Sequence, residues 1–502
     1  MEIDRILGSL LAVVGSPTIM LLIVIAVPVG MFFGAVPGLG GKLGIVLLIP
    51  FAFGMDPLPG AAFLLAMHAV VHTGGSIPSI LFGVPGTGPD AATIVDGFPM
   101  AKRGQAGRAL GASLGASGFG GVVGGLFLAA MLPVLQPVVL AFSPAEFFLL
   151  AILGITFIAT LSGDSLLKGV LIGMFGLMLS FVSLDPFTGS QRFTFGQLFL
   201  WDGVDVIAAV LGLFAIPEMI SLGVKGGSIA QANAATTRYN LREVIDGILD
   251  VFRHFGLSVR TSIIGAVIGL IPGLGGDAAS WICYGHAVQS SKTPERFGHG
   301  AVEGVIAPET ANNSKEGGAL LPTLFFGVPG SSGMAILIGA LVMLGIRPGP
   351  MIALTGMDLV WSLMWVLMIA NILAVFMFLL CAPFFGMLTF VRGSMLIPFV
   401  ITLAFLGAYL SAAAWQNIVV LMAIGVFGYF LRKYRWPRPP FVIGLVLGPI
   451  AEDSLHKALA IWGPTFFLRP LSILFIAMIL ASIGFYFWRM SRKGRMELHY
   501  DN

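Results

Sequence analysis

The residues of this chain that are most able to do chemistry stand inside strongly apolar sequence. The run EGVIAPETANNSKEGG, Glu303 to Gly318, brings an amide pair, hydroxyls, a lysine and carboxylates into a few turns of chain. Amides, hydroxyls and an ammonium are hydrogen-bond donors for an oxygen-rich anion, whereas carboxylates and free carbonyls suit a cation. The run therefore predicts a site that binds an anionic solute beside a cation.

A second polar group lies between His68 and Asp96. His68 and His72 are four residues apart, so on a helix they share one face. They could form a proton relay or a metal pair, or they could be two interior histidines paired with neighbours. The sequence leaves these alternatives open.

Each polar group adjoins one copy of a repeated motif. PSILFGVPG, Pro78 to Gly86, returns as PTLFFGVPG, Pro322 to Gly330. PGLGG precedes both, at Pro37 to Gly41 and at Pro272 to Gly276, with a spacing nine residues longer in the second copy. Two motifs in the same order at nearly the same spacing predict an internal duplication.

Composition sets the architecture in which these motifs must work. The chain is 57% hydrophobic and 10% charged, with a mean hydropathy of +0.97, whereas soluble globular chains carry about 25% charged residues. This predicts an all-α polytopic membrane protein with about 11–14 membrane segments. We expect a first transmembrane repeat over 1–222, a cytoplasmic amphipathic connector over 223–256, and a second repeat with C-terminal helices over 257–502. The first apolar run, 9–36, is predicted to be one retained helix.

The positions of the charges orient the chain. Basic clusters at 432–438 and 489–495 place the C-terminus in the cytoplasm. Counting crossings back from the first cluster places the ends of the two motif regions on opposite sides, which predicts inverted repeats. In the connector, apolar residues recur at helical spacing, either on a helix at the membrane surface or on an ordinary connector packed on the protein: Leu241, Ile245, Ile248, Phe252 and Phe255.

Glycine and proline inside membrane segments have a physical reason. A backbone that leaves the helix in hydrocarbon must find partners in protein, water, an ion or a ligand. Proline stops the helix, and glycine lets the turn reach positive φ and lets a ligand approach. Amides at the start of a half-helix suit a carboxylate, and free carbonyls suit Na⁺. Thr87, Ser331 and Ser332 directly follow Pro-Gly pairs, where a half-helix would begin, so they are either caps or ligands.

Two long segments resemble a known family. GGSIPSILFGVPGTGPDAATIVDGFPMAKRGQAGRALG, Gly74 to Gly111, and the stretch from Pro294 to Pro350 are similar to the large membrane subunit of tripartite tricarboxylate transporters, as is PPFVIGLVLGPIAEDSL near the C-terminus. The pattern departs from the family at His72-Thr73, where an aromatic residue is more usual, and at Lys315-Glu316, where small or apolar residues are commoner. The matched motif positions are Gly74, Gly75, Pro85, Gly86, Asp96, Asn312, Asn313, Gly317, Gly318, Pro329 and Gly330.

The resemblance implies a secondary transporter of the bacterial inner membrane. Such a protein works with a small membrane subunit and a periplasmic solute-binding protein, and it imports carboxylates such as citrate on an ion gradient. The coupling ion is expected to be Na⁺ or H⁺. No cofactor, resident metal or nucleic-acid partner is expected, and the two cysteines are predicted to be small core residues.

Motifs and resemblance together assign the candidate site. The residues predicted to bind substrate are Gly74, Gly75, Ser76, Pro85, Gly86, Thr87, Asn312, Asn313, Lys315, Pro329, Gly330, Ser331 and Ser332. The residues predicted to serve the coupling cation are Gly38, Gly40, Gly273, Gly275, Asp277 and Glu309. Lys42 and Asp277 differ between otherwise equal PGLGG copies, which indicates either unequal ion and substrate duties or charges exposed on loops.

Three functional classes follow in order. The leading hypothesis is a carboxylate importer in which one block moves against a scaffold as the ion binds. The runner-up is an ion channel, or another transporter, with re-entrant filter segments. A membrane enzyme ranks third, because H-E-x-x-H does not occur, and the missing phosphate loop excludes drive by that ATPase motif. The sequence names neither the carboxylate nor the ion.

Overall fold

The computed structural model describes residues 2–36, 39–161, 166–225, 241–272, 275–388 and 393–484. Its helices in the first half are α1 (Glu2–Val14), α2 (Pro17–Ala35), α3 (Gly40–Ala52), α4 (Pro57–Phe82), α5 (Ala91–Lys102), α6 (Ala106–Leu140), α7 (Pro144–Leu161), α8 (Leu166–Ser180) and α9 (Val206–Lys225). Those that follow are α10 (Leu241–Arg253), α11 (Phe255–Leu270), α12 (Gly275–Ser290), α13 (Glu303–Phe326), α14 (Ser332–Met343), α15 (Met351–Thr355), α16 (Met357–Leu388), α17 (Gly393–Leu410), α18 (Gln416–Lys433), α19 (Pro439–Trp462) and α20 (Pro470–Gly484).

The described chain is almost entirely helical. The one sheet in these residues is a minimal hairpin, β1 (Ser183–Leu184) antiparallel to β2 (Gln191–Arg192), in which Ser183 pairs with Arg192. A helix satisfies its own backbone hydrogen bonds, so it is the natural form for apolar sequence in lipid. The predicted all-α membrane class is therefore confirmed.

Membrane-length helices make up part of the bundle. Within the described ranges, four helices are long and apolar enough to cross a bilayer, and the number rises to six if each of two bent helix pairs is one span. Six further apolar helices are shorter, from 10 to 17 residues. The predicted total of membrane segments, which counted half-crossings, stays a prediction.

The first apolar run is not one helix. The chain breaks between α1 and α2 at Gly15, and Ser16 begins the second helix by accepting a hydrogen bond from the Ile19 amide. Pro17 occupies the first turn of α2, where its missing N–H costs nothing. The prediction of a single helix over 9–36 was wrong because Ser-Pro is a helix start signal inside apolar sequence.

The connector contains the expected amphipathic helix, and residues 226–240 lie outside the described residues. Val244, Gly247 and Val251 of α10 are buried, and Gly247 packs so closely on α6 that a Cβ there would lie 2.1 Å from the Arg108 carbonyl oxygen. Four of the five predicted apolar residues are at least 46% exposed: Leu241, Ile245, Phe252 and Phe255. An apolar face turned away from the protein fits a helix at the membrane surface. A bend of 77° separates α10 from α11.

Glycines hold α2 against α4 and α11 against α13 at matching positions. Gly34 and Gly269 each stand three residues before the proline of their PGLGG motif. A Cβ at Gly34 would lie 1.8 Å from the Val71 carbonyl oxygen, and one at Gly269 would lie 2.2 Å from the Lys315 carbonyl oxygen. Small residues of this kind let membrane helices approach backbone to backbone.

The glycine-rich helix α6 packs on α13 and on α16. Gly120 and Gly124 leave no room for a Cβ beside the carbonyl oxygens of Thr310 and Ser314 on α13. Cys283, on α12, is buried nearby, while the side chain of Cys381 lies outside the described residues. The central layer of the protein is therefore a set of close helix contacts around α4, α6 and α13.

These contacts predict that Gly34→Ala and Gly269→Ala will each lower the free energy of unfolding by about 2 kcal/mol, because the helices must separate to admit a methyl group. Unfolding in mixed detergent micelles measures this. Gly285→Ala is the matched control, since a Cβ there meets nothing within 4 Å. It should leave stability unchanged or raise it by about 1 kcal/mol. Equal stabilities for all three variants would contradict the close packing.

Candidate functional site

The first broken segment folds back onto the helix that precedes it. Gly83 ends α4 in the left-handed conformation, with φ +66°. The chain then returns, and the Gly86 amide donates to the Gly75 carbonyl oxygen at 3.2 Å. A Cβ at Gly86 would lie 2.3 Å from the Gly34 carbonyl oxygen. The tip that carries Pro85 therefore lies on the contact between α2 and α4.

The second broken segment repeats this geometry. Gly327 ends α13 with φ +66°. The Gly330 amide donates to Thr323 Oγ1 at 3.3 Å, and a Cβ at Gly330 would lie 2.8 Å from the Gly269 carbonyl oxygen. The tip with Pro329 thus lies on the contact between α11 and α13.

The three hydroxyls at the tips differ in role. Ser331 caps α14, accepting a hydrogen bond from the Met334 amide at 3.2 Å, and Ser332 is the first residue of that helix. Thr87 caps nothing, because α5 begins only at Ala91. The expectation that a half-helix starts at Thr87 was wrong, since Gly88 and Pro89 extend the loop before the helix can form.

Thr87 joins a histidine to a carboxylate instead. Its amide and its hydroxyl both donate to Asp90 Oδ2, at 2.8 and 2.6 Å. His72 Nδ1 lies 2.9 Å from Thr87 Oγ1. Asp90 is fully buried and presses on Gly75, where a Cβ would lie 1.9 Å from Oδ2. The first tip therefore carries a buried carboxylate.

The predicted amide pair divides into two roles. Asn312 Nδ2 lies 3.4 Å from Asp90 Oδ1, and Asn312 Oδ1 has no hydrogen-bond partner among the described residues. Asn313 instead donates to Thr73 Oγ1 at 3.0 Å and to Asn371 Oδ1 at 2.6 Å. The amide oxygens of both residues are thus unpaired acceptors in the described part of the chain. Asn312 Nδ2 makes only one long contact there, whereas Asn313 Nδ2 ties α13 to α4 and α16.

Lys315 and Glu316 pair with each other in the core. Lys315 Nζ lies 2.5 Å from Glu316 Oε1. The other Glu316 oxygen lies 3.3 Å from His68 Nε2, and Oε1 lies 3.5 Å from His72 Nε2. All four side chains are at most 11% exposed. The histidine pair is therefore joined to α13 through one carboxylate.

The second PGLGG motif meets the first tip. A Cβ at Gly276 would lie 2.8 Å from both Lys315 Cε and Pro89 Cγ, and a Cβ at Gly88 would lie 2.4 Å from Asp277 Oδ1. Broken segments from the two halves of the chain are thereby brought into contact, with Asp277 at the junction.

Two of the four glycines predicted to serve a cation lie among the described residues. Gly40 and Gly275 have matching φ values of +65° and +66°. Gly38 and Gly273 lie outside the described residues. Lys42, on the first turn of α3, is exposed. The two visible glycines form sharp turns at equivalent breaks.

Hydroxyls surround the carboxylate of Glu309. Its Oε1 accepts from Thr93 Oγ1 at 2.5 Å and its Oε2 from Ser117 Oγ at 3.0 Å. One turn of α6 away, Ser113 donates to Ser76 Oγ at 2.6 Å. Glu309 is fully buried, so this oxygen-rich cluster is a second candidate place for a cation.

Asp96, which matches a family motif position, holds a loop. Its Oδ1 accepts from the Gly300 and Ala301 amides at 2.8 and 2.9 Å, and its Oδ2 accepts from the Tyr284 hydroxyl at 3.0 Å. These contacts fasten α5 to the segment that leads into α13. The role of Asp96 here is structural.

The two tips differ in their exposure. The crevice beside Pro329, between α14 and α19, has no room for a water molecule. A larger cavity of about 890 Å³ lies elsewhere, between the N-terminal ends of α1, α4 and α16, with Asp4, Arg5, Asp56 and Asp358 among its lining residues. Pro329 at the second tip is buried, whereas Pro85 and Gly88 at the first tip are exposed.

Sequence reasoning missed several members of the cluster. Asn371 stands alone in the middle of a long apolar helix, which is a signal of function or of a buried hydrogen bond. Ser113 and Ser117 are four residues apart on the glycine-rich helix and face Ser76 and Glu309. These residues carry no motif, and the contacts alone reveal their partners.

A polytopic helical bundle whose core holds buried charges beside interrupted helices defines a membrane transport protein. Residues 20–443 match the Tripartite tricarboxylate transporter TctA family. The chain belongs to this family, which confirms the resemblance seen in the motifs. The TctA family is a family of transporters.

Two curated relatives come from Agrobacterium vitis. An uncharacterized 52.8 kDa protein in the TAR-I ttuC' 3' region is 33% identical over 444 residues, 87% of this chain and 86% of the relative. An uncharacterized protein in the TAR-II ttuC' 3' region is 34% identical over 201 residues, 39% of this chain and 81% of the relative. No solved structure matches this chain.

The contacts of the amide pair predict that Asn313→Ala and Asn371→Ala will each lower the free energy of unfolding by about 2 kcal/mol, because a buried polar partner is left unpaired. The double variant should lose clearly less unfolding free energy than the two single variants lose together, since both residues share one hydrogen bond. Unfolding in mixed micelles measures both. Strict additivity would mean that the pair does not act as a unit.

Proposed function

We propose that this chain is the translocating subunit of a secondary active carboxylate importer in the bacterial inner membrane. It takes a tricarboxylate or related organic acid from a periplasmic solute-binding protein, assisted by a small membrane subunit, and moves the acid with a coupling ion. Membership of the TctA family supports the transport role. The observation that carries the placement of the site is the junction of Gly88 and Pro89 with Gly276 and Asp277.

The proposal includes two inverted repeats. The repeated nine-residue motif, or nonapeptide, begins at Pro78 in the first half and at Pro322 in the second. His72 and Glu316 each lie six residues before that proline, and their side chains are in contact. Ala69 and Asn313 also occupy equivalent positions and share a hydrogen bond of 3.4 Å. In a twofold arrangement, equivalent residues touch only on the axis. These pairs support a pseudo-twofold axis through the contact of α4 with α13.

The direction of the helices supports inversion. Gly118, Gly121 and Gly125 of α6 approach Val375, Asn371 and Met368 of α16, so residue numbers fall on one helix as they rise on the other. The two helices therefore run antiparallel, and each follows the broken segments of its own half. A twofold axis in the membrane plane relates antiparallel elements, as in inverted-repeat transporters.

The chemistry of the junction suits an anion beside a cation. Lys315 supplies positive charge, and the Nδ2 group of Asn312, whose contact with Asp90 is long at 3.4 Å, supplies a donor that a ligand can take over. Glu309, Asp277 and the turns at Gly40 and Gly275 supply oxygen atoms that suit a cation beside the substrate. Because Asn312, Lys315 and Glu309 are buried, we propose that one block carries the site across by moving against the other.

Uptake of radiolabelled acids into proteoliposomes tests this function. The chain is reconstituted with its small subunit, the binding protein is added outside, and citrate and a panel of mono-, di- and tricarboxylates are offered under an ion gradient. Accumulation against a concentration gradient supports the transporter, and passive equilibration without accumulation would favour a channel. The absence of uptake for every acid would overturn the proposal.

Asn312→Ala should reduce uptake of the best acid by about tenfold or more, because one hydrogen bond to a charged ligand is lost. Its stability should stay near that of the wild type, since Asn312 makes one long contact in the described protein. Asn417→Ala, which removes a partly buried amide bonded to Ser411 Oγ, is the matched control and should transport normally. Unchanged uptake in Asn312→Ala would place the substrate elsewhere.

A further inference from the structure

The contact of α4 with α13 joins the two tips through a line of polar side chains. His72 reaches Thr87 at the first tip, and His68 packs on the start of α14, where a Cβ at Gly333 would lie 2.4 Å from its Cε1 atom. Both rings face Glu316. This histidine pair is thus in contact with both halves of the transporter at its centre.

When Asp90 is ionised, the hydrogen bonds fix the tautomer of His72. Thr87 Oγ1 lies 2.6 Å from the carboxylate of Asp90, which can only accept when it is ionised. The hydroxyl hydrogen is then used, so Thr87 must accept from His72 Nδ1–H at 2.9 Å. A neutral His72 in this arrangement carries a lone pair on Nε2.

That lone pair would face another acceptor. Nε2 lies 3.5 Å from Glu316 Oε1, and neither is a donor in these states. Two acceptors facing each other in a water-poor core repel, whereas a proton between them forms a charge-assisted hydrogen bond. The arrangement therefore calls for one more proton than two ionised carboxylates and a neutral imidazole provide.

We propose that Glu316, His72, Thr87 and Asp90 form a proton-binding relay, which makes H⁺ the coupling ion of this transporter. The inference rests on the transport function proposed above. With the extra proton on His72, the ring donates from Nδ1 to Thr87 and from Nε2 to Glu316. The relay then joins the centre of the bundle to the carboxylate at the first tip.

The proton can move along the relay with all atoms balanced. The Thr87 hydroxyl proton passes to Asp90 Oδ2 as the His72 Nδ1 proton passes to Thr87 Oγ1. One O–H and one N–H bond break, and two O–H bonds form. Asp90 becomes a neutral acid, and His72 becomes the neutral tautomer that still donates from Nε2 to Glu316. The same proton thus occupies either the centre or the tip.

Other charges around His72 have partners or stand apart. The ring faces His68 on its own helix, Glu316 and Lys315 on α13, and Asp90 through Thr87. On the neighbouring helices, α2 and α14 contain no titratable residue. The other charged residues of the helices packed on α4 have contacts of their own or lie at the outer cavity: Lys42 at the start of α3, Asp96 bonded to the Gly300 and Ala301 amides, Lys102 over the Phe98 ring, Arg108 paired with Asp250, Glu303 paired with Arg296, Glu309 among hydroxyls near Asp90, and Asp358 at the cavity.

Charge balance gives the proton a function. With neutral histidines and with Glu309 in its acid form, Asp90, Glu316 and Lys315 sum to one negative charge in a buried core. One proton makes this group neutral, which lowers the cost of moving it through an apolar environment. Binding of the proton would therefore make movement of the site across the membrane easier when the relay is protonated than when it is ionised.

Uptake driven by a pH gradient tests the relay. In Na⁺-free proteoliposomes with an alkaline interior, the wild type should accumulate the best acid of the panel. His72→Gln should lose this stimulation by about tenfold while acid exchange at equal pH on both sides persists, because exchange needs no net proton movement. Thr87→Val should also lose the stimulation by about tenfold. Thr87→Val removes no charge, so it can test the relay even if His72→Gln fails to fold. Glu316→Gln is not used, since it leaves a buried lysine unpaired.

Controls separate the two proposals. Thr355→Val and His456→Gln replace the same residue types at exposed positions away from the relay, and they should keep the pH stimulation. Uptake in the wild type that needs Na⁺ and ignores the pH gradient overturns the relay alone. Normal pH stimulation in both relay variants also overturns it. The absence of uptake and exchange for every acid overturns the transporter, and the coupling with it.

Discussion

Every backbone group that leaves a helix inside a bilayer must be paired within the protein, and this constraint shapes the whole chain. The helices stop at PGLGG and at the nonapeptide in each half. Each tip then lies on a contact between two helices, close enough that Gly86 and Gly330 touch backbone carbonyls or the Cα of a neighbour. A larger residue at position 34 or 269 would push α2 away from α4 or α11 away from α13. Gly86 and Gly330 would then lose their contacts with the carbonyl oxygens of Gly34 and Gly269.

The buried charges obey a second constraint, which is that each carboxylate or ammonium group has a polar partner. Lys315 has Glu316, and Glu316 has two histidines as further neighbours. Asp90 is held by an amide and a hydroxyl, and Glu309 is held by hydroxyls. Such groups are costly in lipid and persist where they bind or move ions. Their concentration at the contact of the two halves is what connects the fold to transport.

The sequence predicted more of the fold than of the site. Apolar composition predicted the helical membrane class, and Gly-Pro pairs predicted where helices end, because both depend on local chemistry. The first apolar run was misjudged, since Ser16-Pro17 starts a new helix without any change in hydropathy. At the site, the sequence placed Asn312, Asn313 and Lys315 in one group, and it could not separate their roles.

Residue types and their spacing alone determined the membrane class, the four helix breaks and the family, because each of these is written in a short stretch of chain. Only the tertiary structure decided which polar groups meet. Thr87 bonds to His72 and Asp90, Asn313 bonds to Asn371, and Glu309 lies among hydroxyls from two other helices. Partners from distant parts of the chain are chosen by the crossing of helices, and no local pattern encodes that geometry.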